Sequence, residues 1–266
     1  QDTTFSCLST RAPPDPLECG RSCPSPRLSD LLASNGGASA SDVCSGVTWT
    51  NNYSGSLSDL CGLTGSATVV FTATDACGNF SSSTGTFTIQ DTTNPSLSTQ
   101  AASQTVECDG AGNLTQLNAW LASNGGAVAS DICSNVTWAN NFASVSDTCG
   151  ATGSATVTFT ATDACGNSST TSATFTIIDD TDPTITTQAA NLEVQCDGAG
   201  NTAQLNAWLA SNGDAVASDV CSNVTWTNNF ASVSDTCGAT GRATVTCTST
   251  GSCGCSSTTS ATLTII

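Results

Sequence analysis

The stretch CDGAGNLTQLNAWLASNGGAVASDICSNVTWANNFASVSDTCGATGSATVTFTATDACGN, residues 108–167, settles the architecture, because it is written again from Cys196 at an offset of 88 residues. A more diverged copy lies upstream, at an offset of 89 as far as Trp49 and Asn52 and of 88 from Cys61 onward. Solenoid repeats are shorter; a period near 90 residues is a whole small domain. Repeats are therefore expected over residues 1–94, 95–182 and 183–266.

Within the quoted stretch, Thr156, Thr158, Thr160 and Thr162 alternate with Val157, Phe159 and Ala161. That is the period of a strand with one buried face and one hydroxyl-lined face. Ser172 to Ile178 continues it, and Asp163 to Asn167 between them, with Gly166, reads as a hairpin turn. Asn135 to Asn141, around Trp138, and Gln104 to Cys108 are two further strands. Asn113 to Gly125 breaks the pattern. Asn113 is placed to cap, Gln116 follows three residues later, Leu117, Trp120 and Leu121 share a helical face, and Gly125 suits a left-handed stop. The fold class is mainly β: a tandem array of three immunoglobulin-like β-sandwich domains, each with one short helix and two or more disulfides. Trp49, Trp138 and Trp226 are expected as core anchors beneath the sandwich, and Trp120 and Trp208, with Leu31 in the first repeat, as core-facing helix residues.

Composition removes several functions. The chain has 21 acidic residues against four arginines, for a formal charge of −17, and no lysine, histidine or methionine. Nothing neutralises phosphates, so nucleic acid is excluded as a partner. Imidazole metal sites, Schiff bases and most general bases are missing; an enzyme would have only carboxylates, such as Glu107 with Asp109, set in a sandwich without an evident cleft. No catalysis is expected. No apolar run approaches a membrane span and no basic, apolar leader opens the sequence, so membrane insertion is not expected.

Sixteen cysteines, with no CxxC pair, read as disulfides formed in an oxidising, extracellular setting. The candidates are Cys19, Cys44, Cys61 and Cys77 in the first repeat, Cys108, Cys133, Cys149 and Cys165 in the second, and Cys196, Cys221, Cys237 and Cys253 in the third; Cys7, Cys23, Cys247 and Cys255 are extra. Two bridges within each repeat are expected. Four cysteines allow three pairings; immunoglobulin-like topology, with Cys133 and Cys165 at one end of the sandwich, favours Cys133 with Cys165 and Cys108 with Cys149. The extra four serve local bridges or links to a neighbouring molecule.

Aspartate stands two residues before eight of these sixteen cysteines, as in Asp42, Asp75, Asp131, Asp163 and Asp219. Residues i and i+2 of an extended segment face one way, so bridged loops would bring carboxylates together, with almost no basic residue to separate them. A divalent, oxygen-seeking cation is the natural counterion, and calcium suits such donors. The competing reading is a set of Asx turns. The linkers Ile89-Gln90-Asp91-Thr92-Thr93-Asn94-Pro95 and Ile178-Asp179-Asp180-Thr181-Asp182-Pro183 add Asp91, Asn94, Asp179, Asp180 and Asp182 as calcium ligands that would stiffen the joints, by analogy with cadherin arrays. Gly251 replaces Asp163 in the third repeat, Cys255 replaces Asn167 and Cys247 replaces Phe159, so an ion site there should be weaker.

TATDACGNSSTTSATFTIIDDTDPTI, from Thr160 to Ile185, together with DICSNVTWANNF from Asp131, resembles the hyalin-repeat-like, immunoglobulin-like modules found in tandem in large bacterial cell-surface and secreted adhesins. The resemblance implies extracellular adhesion or scaffold duty without catalysis. Gln1-Asp2-Thr3-Thr4 matches the linker at Gln90 to Thr93, and Ile265-Ile266 stands where the second repeat runs into Asp179. These matching ends lead to the expectation of an extracellular structural protein that polymerises head to tail with other copies of itself into a calcium-stabilised fibre or stalk. The alternative expectation is an adhesin module that binds a protein or a surface glycan.

Overall fold

A computed structural model describes residues 8–9, 16–20, 24–238 and 240–266. Cys7, Cys23 and the side chain of Cys237 lie outside the described residues. The protein is mainly β, built from tandem β-sandwich domains. It divides into two compact units, and the division passes inside the two long strands of the middle repeat, Gly153–Thr162 and Ser168–Ile178.

The first unit comprises residues 1–100, 127–139 and 159–171. Its sheet has the order Leu17–Glu18, Phe80–Gln90, Gly65–Thr74, Thr48–Asn51, with Ser58–Asp59 paired to Gly65–Thr74. The two long strands are antiparallel, from Gly65 opposite Ile89 to Thr74 opposite Phe80. Their alternation buries Val69, Phe71, Phe87 and Ile89 on one face, where Leu31 of helix α1 (Pro24–Ala33) joins them. On the other face Thr68 and Thr86 meet hydroxyl to hydroxyl at 3.2 Å. Trp49 packs at the edge of this core and is only half-buried. The unit also holds the antiparallel pair Ser96–Thr99 with Val128–Ser130. Its 163–167 hairpin is closed by the Asp163 amide donating to the Asn167 carbonyl at 3.0 Å, with Gly166 at φ +93°.

The second unit comprises residues 101–126, 140–158 and 172–266. Its sheet runs Leu192–Val194, Ser256–Ile265, Thr240–Gly251, Val224–Asn228, with Ser234–Cys237 paired to Thr240–Gly251. Leu205 and Trp208 of helix α3 (Thr202–Ala210) pack on Val245, Leu263 and Ile265. Helix α2 (Leu114–Ala122) buries Leu117 and Trp120, and the Trp120 ring lies 5.5 Å from that of Phe175. Both buried indoles are satisfied: Nε1 of Trp120 donates to the Ala102 carbonyl and that of Trp208 to the Ala190 carbonyl, each at 2.9 Å. The helix tryptophans are thus the core anchors. Trp138 and Trp226, like Trp49, are half-buried.

Asn113 does not cap its helix as expected. It has φ +52°, is fully buried, and turns its side chain away from the helix: Nδ2 donates to the Glu107 carbonyl at 2.8 Å and Oδ1 accepts from the Asp109 amide at 3.2 Å. It fastens the helix start to the edge strand Gln104–Glu107, which pairs in parallel with Phe175–Ile178. Asn201 repeats this arrangement with Gln195 and Asp197. Gly125 adopts the expected left-handed φ, +64°.

The disulfides correct the expected pairing. The bonds are Cys19–Cys133, Cys61–Cys165, Cys108–Cys221 and Cys149–Cys253, each joining one sequence repeat to the next. Cys133 and Cys165 do lie on neighbouring turns, since the Ala164 amide donates to Ser134 Oγ at 2.9 Å. They do not bond each other because the turns carrying Cys19 and Cys61 meet them there, with Cα–Cα distances of 5.9 Å and 5.2 Å. Cys108 and Cys149 likewise bond Cys221 and Cys253 rather than each other. Each bond closes a span of 104 to 114 residues. Chain-entropy reasoning assigns a loop of that size about 4.7 kcal/mol. Cys247 takes the core place of Phe159 and contacts the Asn212 carbonyl, so it bonds neither Cys255 nor any other described cysteine.

Candidate cation sites at the acidic linkers

The first linker is fixed by hydrogen bonds. Glu18, on the edge strand, accepts from the Thr92 amide at 2.6 Å, the Thr92 hydroxyl at 3.1 Å and the Thr93 hydroxyl at 3.0 Å. Chiefly the Thr92 amide holds its carboxyl below the usual range. Asn167 Nδ2 donates to the Asp91 carbonyl at 3.1 Å, and Ser169 Oγ to that of Pro95 at 2.7 Å.

Inside this frame sits Asp91, 8% exposed. One carboxylate oxygen accepts from the Thr93 amide at 3.2 Å; the other, Oδ2, is buried without a hydrogen-bond partner. Burial pushes its pKa up, and the nearby negative charges of Asp131, Asp163 and Glu18 add to the rise. Asp91 and Asp131 each bring an oxygen within 4.8 Å of the other and of the Cys133 sulfur. That sulfur is spent in a disulfide, so the ligands on offer are hard oxygens. Lysine and histidine are absent from the chain, and Arg242 is the only arginine whose side chain is described. An unpartnered buried carboxylate facing a second one fits a divalent cation better than any side chain here.

The second unit contains the corresponding group, Asp179 with Asp219 beside the bonded Cys221. Both oxygens of Asp179 are buried without partners, and burial, then the charges of Asp219 and Glu107, raise its pKa. A cleft of about 140 Å³, lined among others by Glu107, Asp179, Asp182 and Asp219, opens here. That volume has room for an ion with part of its hydration shell. Glu107 accepts from the Thr181 hydroxyl at 2.8 Å, which leads the lowering of its pKa.

The expected ligands separate into two groups. Asp91 with Asp131 and Asp179 with Asp219 converge, and Asp182 lines the second cleft. The rest serve turns. Asp42 accepts the amides of Cys44 and Ser45 at 2.9 and 2.8 Å. Asp75 accepts those of Cys77 and Asn79 at 2.8 and 2.9 Å. Asp163 accepts the Cys165 and Asn167 amides and the Asn167 side chain. Burial opposes the ionised form of Asp163, but these hydrogen bonds outweigh it and lower its pKa. Asp131 and Asp219 also accept their own Cys and Ser amides through Oδ1. The Asp-x-Cys pattern is therefore first an Asx turn. Asn94 and Asp180 are exposed. Glu18 escaped the sequence reading, and Glu107 entered it only beside Asp109 as a carboxylate pair, not as a brace of the linker; the signal for both is a glutamate directly before the first bonded cysteine of each joint. In the third repeat, Cys255 Sγ contacts the Asp179 carbonyl at 3.4 Å, where Asn167 serves Asp91.

No protein-family model matches the chain, and no curated protein matches it. Among solved structures it is similar to the protocadherin gamma B2 extracellular cadherin domains 1–5, at 11% identity and TM-score 0.29, over 78% of this chain and 46% of that one. It is also similar to mouse cadherin-23 EC22–24, at 12% identity and TM-score 0.28, over 86% and 90% of the two chains. Drosophila N-cadherin EC1–4 is similar at 11% identity and TM-score 0.29, over 86% and 68%. The chain thus spans less than half of the protocadherin. With scores this low, local geometry carries the functional reading.

Proposed function

We propose that this protein is an extracellular structural element. Its repeats, at residues 1–94, 95–182 and 183–266, form a row whose acidic joints bind calcium and which extends head to tail through further copies into a fibre or stalk. The buried, unpartnered oxygens of Asp91 and Asp179, each facing a second carboxylate, carry this reading. The ligands at the first joint are Asp91 and Asp131, with Asn94 further along the linker and Asp163 in the neighbouring hairpin; at the second they are Asp179, Asp219 and Asp182, with Asp180 exposed beside them. Asp42 and Asp75 present the same turns to a preceding copy. Disulfides between consecutive repeats support both the oxidising compartment and a structural duty, since they restrain joints rather than a catalytic cleft. The alternative, a glycan-binding adhesin, loses Trp120 and Trp208 as sugar platforms because both are buried.

Electron microscopy of the purified protein with calcium and with a chelator tests this. Rods that lengthen in calcium and shorten or bend in chelator are expected; identical discrete particles in both would overturn it.

A further inference from the structure

Two of the four disulfides differ from the others in what they grip. At the first joint the Cys19 amide donates to the Gln90 carbonyl at 2.7 Å, and Glu18 beside it holds the Thr92 amide at 2.6 Å and the Thr93 hydroxyl at 3.0 Å. The dipeptide Glu18-Cys19 thus clasps the linker on both sides of Asp91. At the other end of the bond, the Cys133 amide donates to Asp131 Oδ1 at 2.8 Å. The disulfide therefore joins the segment that positions Asp91 to the turn that positions Asp131, and the Cys133 sulfur lies within 4.8 Å of a carboxylate oxygen of each. What it holds in place is a buried group: Asp91 is 8% exposed, with Oδ2 unpartnered.

The second unit repeats the arrangement. The Cys108 amide donates to the Ile178 carbonyl at 2.8 Å, Glu107 accepts from the Asp180 amide at 3.3 Å and the Thr181 hydroxyl at 2.8 Å, and the Cys221 amide donates to Asp219 Oδ1 at 2.7 Å. Cys108–Cys221 so joins the grip on Asp179 to the turn of Asp219. Cys61–Cys165 and Cys149–Cys253 instead join a mid-repeat turn to the last hairpin, outside the linkers, although their spans of 104 residues are nearly as long as the 114 and 113 of the other two. Two carboxylates repel, and they stay within reach of one ion when the backbone holds them there. Besides the disulfide, the Asp131 turn reaches the linker by way of the hairpin, through hydrogen bonds that water can replace: the Ala164 amide to Ser134 Oγ at 2.9 Å and Asn167 Nδ2 to the Asp91 carbonyl at 3.1 Å.

We propose that Cys19–Cys133 and Cys108–Cys221 set the cation affinity of the joints they span, so that a dithiol reducing either bond loosens calcium at that joint, and bound calcium in turn protects the bond. This rests on the calcium reading above and adds its regulation. Reduction runs by exchange: a thiolate of the dithiol attacks one cysteine sulfur, its second thiol resolves the mixed disulfide, and the two cysteines leave as thiols carrying the dithiol's two protons while the dithiol becomes a disulfide. With the bond open, the cost of ordering two repelling carboxylates opposes binding. The linkage is reciprocal: the factor by which the bond tightens calcium is the factor by which calcium disfavours its reduction at equilibrium, and couplings of this kind amount to about 5- to 150-fold.

The test uses the full 266-residue chain and calcium chloride. Titration calorimetry should show one joint weakened by about 5- to 150-fold in Cys19→Ser/Cys133→Ser and the other in Cys108→Ser/Cys221→Ser. Cys61→Ser/Cys165→Ser and Cys149→Ser/Cys253→Ser, which open spans of similar length away from the linkers, should bind as the native chain does. A second measurement needs no variant. The native chain, equilibrated in mixtures of dithiothreitol and its oxidised form, then alkylated and mapped by peptide, should keep Cys19–Cys133 and Cys108–Cys221 intact in more reducing mixtures with calcium than with chelator, while the other two bonds are unmoved. Calcium bound equally tightly by all four variants, or calcium protecting all four bonds alike, would overturn the proposal and leave the calcium reading standing. A native chain that binds no calcium would remove both.

Discussion

Asp91→Asn should change the sign of its effect with calcium. Without a divalent cation, the Asp91 carboxylate is a buried charge with one unpartnered oxygen, facing the negative charges of Asp131, Asp163 and Glu18. Asparagine keeps the shape and the contact of Oδ1 with the Thr93 amide. It removes the charge. Leaving a polar group buried and unsatisfied costs about 1–3 kcal/mol. For a chain of this size each kcal/mol moves the melting temperature by about 2–4 °C. In chelator the variant should therefore melt higher than the native protein, by about 2–8 °C when the lower half of that cost applies. In calcium the order reverses. A site of extracellular strength, with a Kd of about 10⁻⁴–10⁻³ M, is occupied at about 10–100 times its Kd in 10 mM calcium, which stabilises the native protein by about 1.4–2.7 kcal/mol. The variant lacks an anionic ligand and should gain little. Differential scanning calorimetry of both proteins in both buffers, with calcium titration calorimetry alongside, reads the crossing. A variant that melts below the native protein in chelator as well as in calcium would refute the reasoning, because Asp91 would then be an ordinary structural acceptor.

Acid should act on the same residues. Burial raises the Asp91 and Asp179 pKa values, so what their neutral forms contribute is fully present below the usual carboxylate pKa and lost as pH rises through the raised values. In chelator, the advantage of Asp91→Asn/Asp179→Asn over the native protein should widen as pH climbs from about 4 to about 7; a constant gap would count against it. Asp75 behaves oppositely. The Asn79 amide leads the lowering of its pKa despite burial, so its contribution is present above the unfolded value and fades as pH falls through the lowered one; Asp75→Asn should erase that part of the acid sensitivity, read by thermal melts. Trp120→Ala should cost about 3–5 kcal/mol in urea titration, and Trp120→Phe about 1 kcal/mol for the lost bond to the Ala102 carbonyl. Peptide mapping without reduction should recover Cys61 linked to Cys165 and no link of Cys133 to Cys165.

Local rules carried much of the fold. The Thr/Val/Phe alternation of Gly153–Thr162, the Gly166 hairpin and the α2 segment all lie within a few residues of their causes, so periodicity and turn chemistry reach them. Asn113 misled because the same residue suits a cap and a left-handed staple; its burial beside Glu107, set by the sheet, chooses between them. The tryptophans misled for a related reason. Trp138 sits on a strand face that stays half-open, whereas Trp120 faces the sheet from the helix and finds a carbonyl for its indole. The disulfide pairing was beyond reach. Identical cysteines recur in every repeat, so bonding within a repeat and bonding to the next make the same demand on spacing, and only the meeting of the Cys61 and Cys165 turns separates them. The acidic joints were half visible: the aspartates stood out by composition, but their division into turn acceptors and converging carboxylates depends on which oxygens the backbone amides consume.

The two joints place their acidic residues differently. At the first, Asp163 contributes a negative charge from the hairpin and the linker position is the neutral Asn94. At the second, the hairpin position is Gly251, where a Cβ would come 3.2 Å from Asp219 Oδ2, and the linker position is Asp182, lining the cleft with Asp219. The hairpin loses one negative charge and the linker gains two, Asp182 in place of Asn94 and Asp180 in place of Thr92. Cys255 follows the same logic, replacing the Asn167 amide at the linker carbonyl when Asp163, the other partner of that amide, is gone. Were these aspartates only solvating a loop, nothing would tie the change at 251 to the change at 182. In the proposed reading, a cation shared by hairpin and linker would tie them, because it would respond to the charge around it whichever strand supplies it.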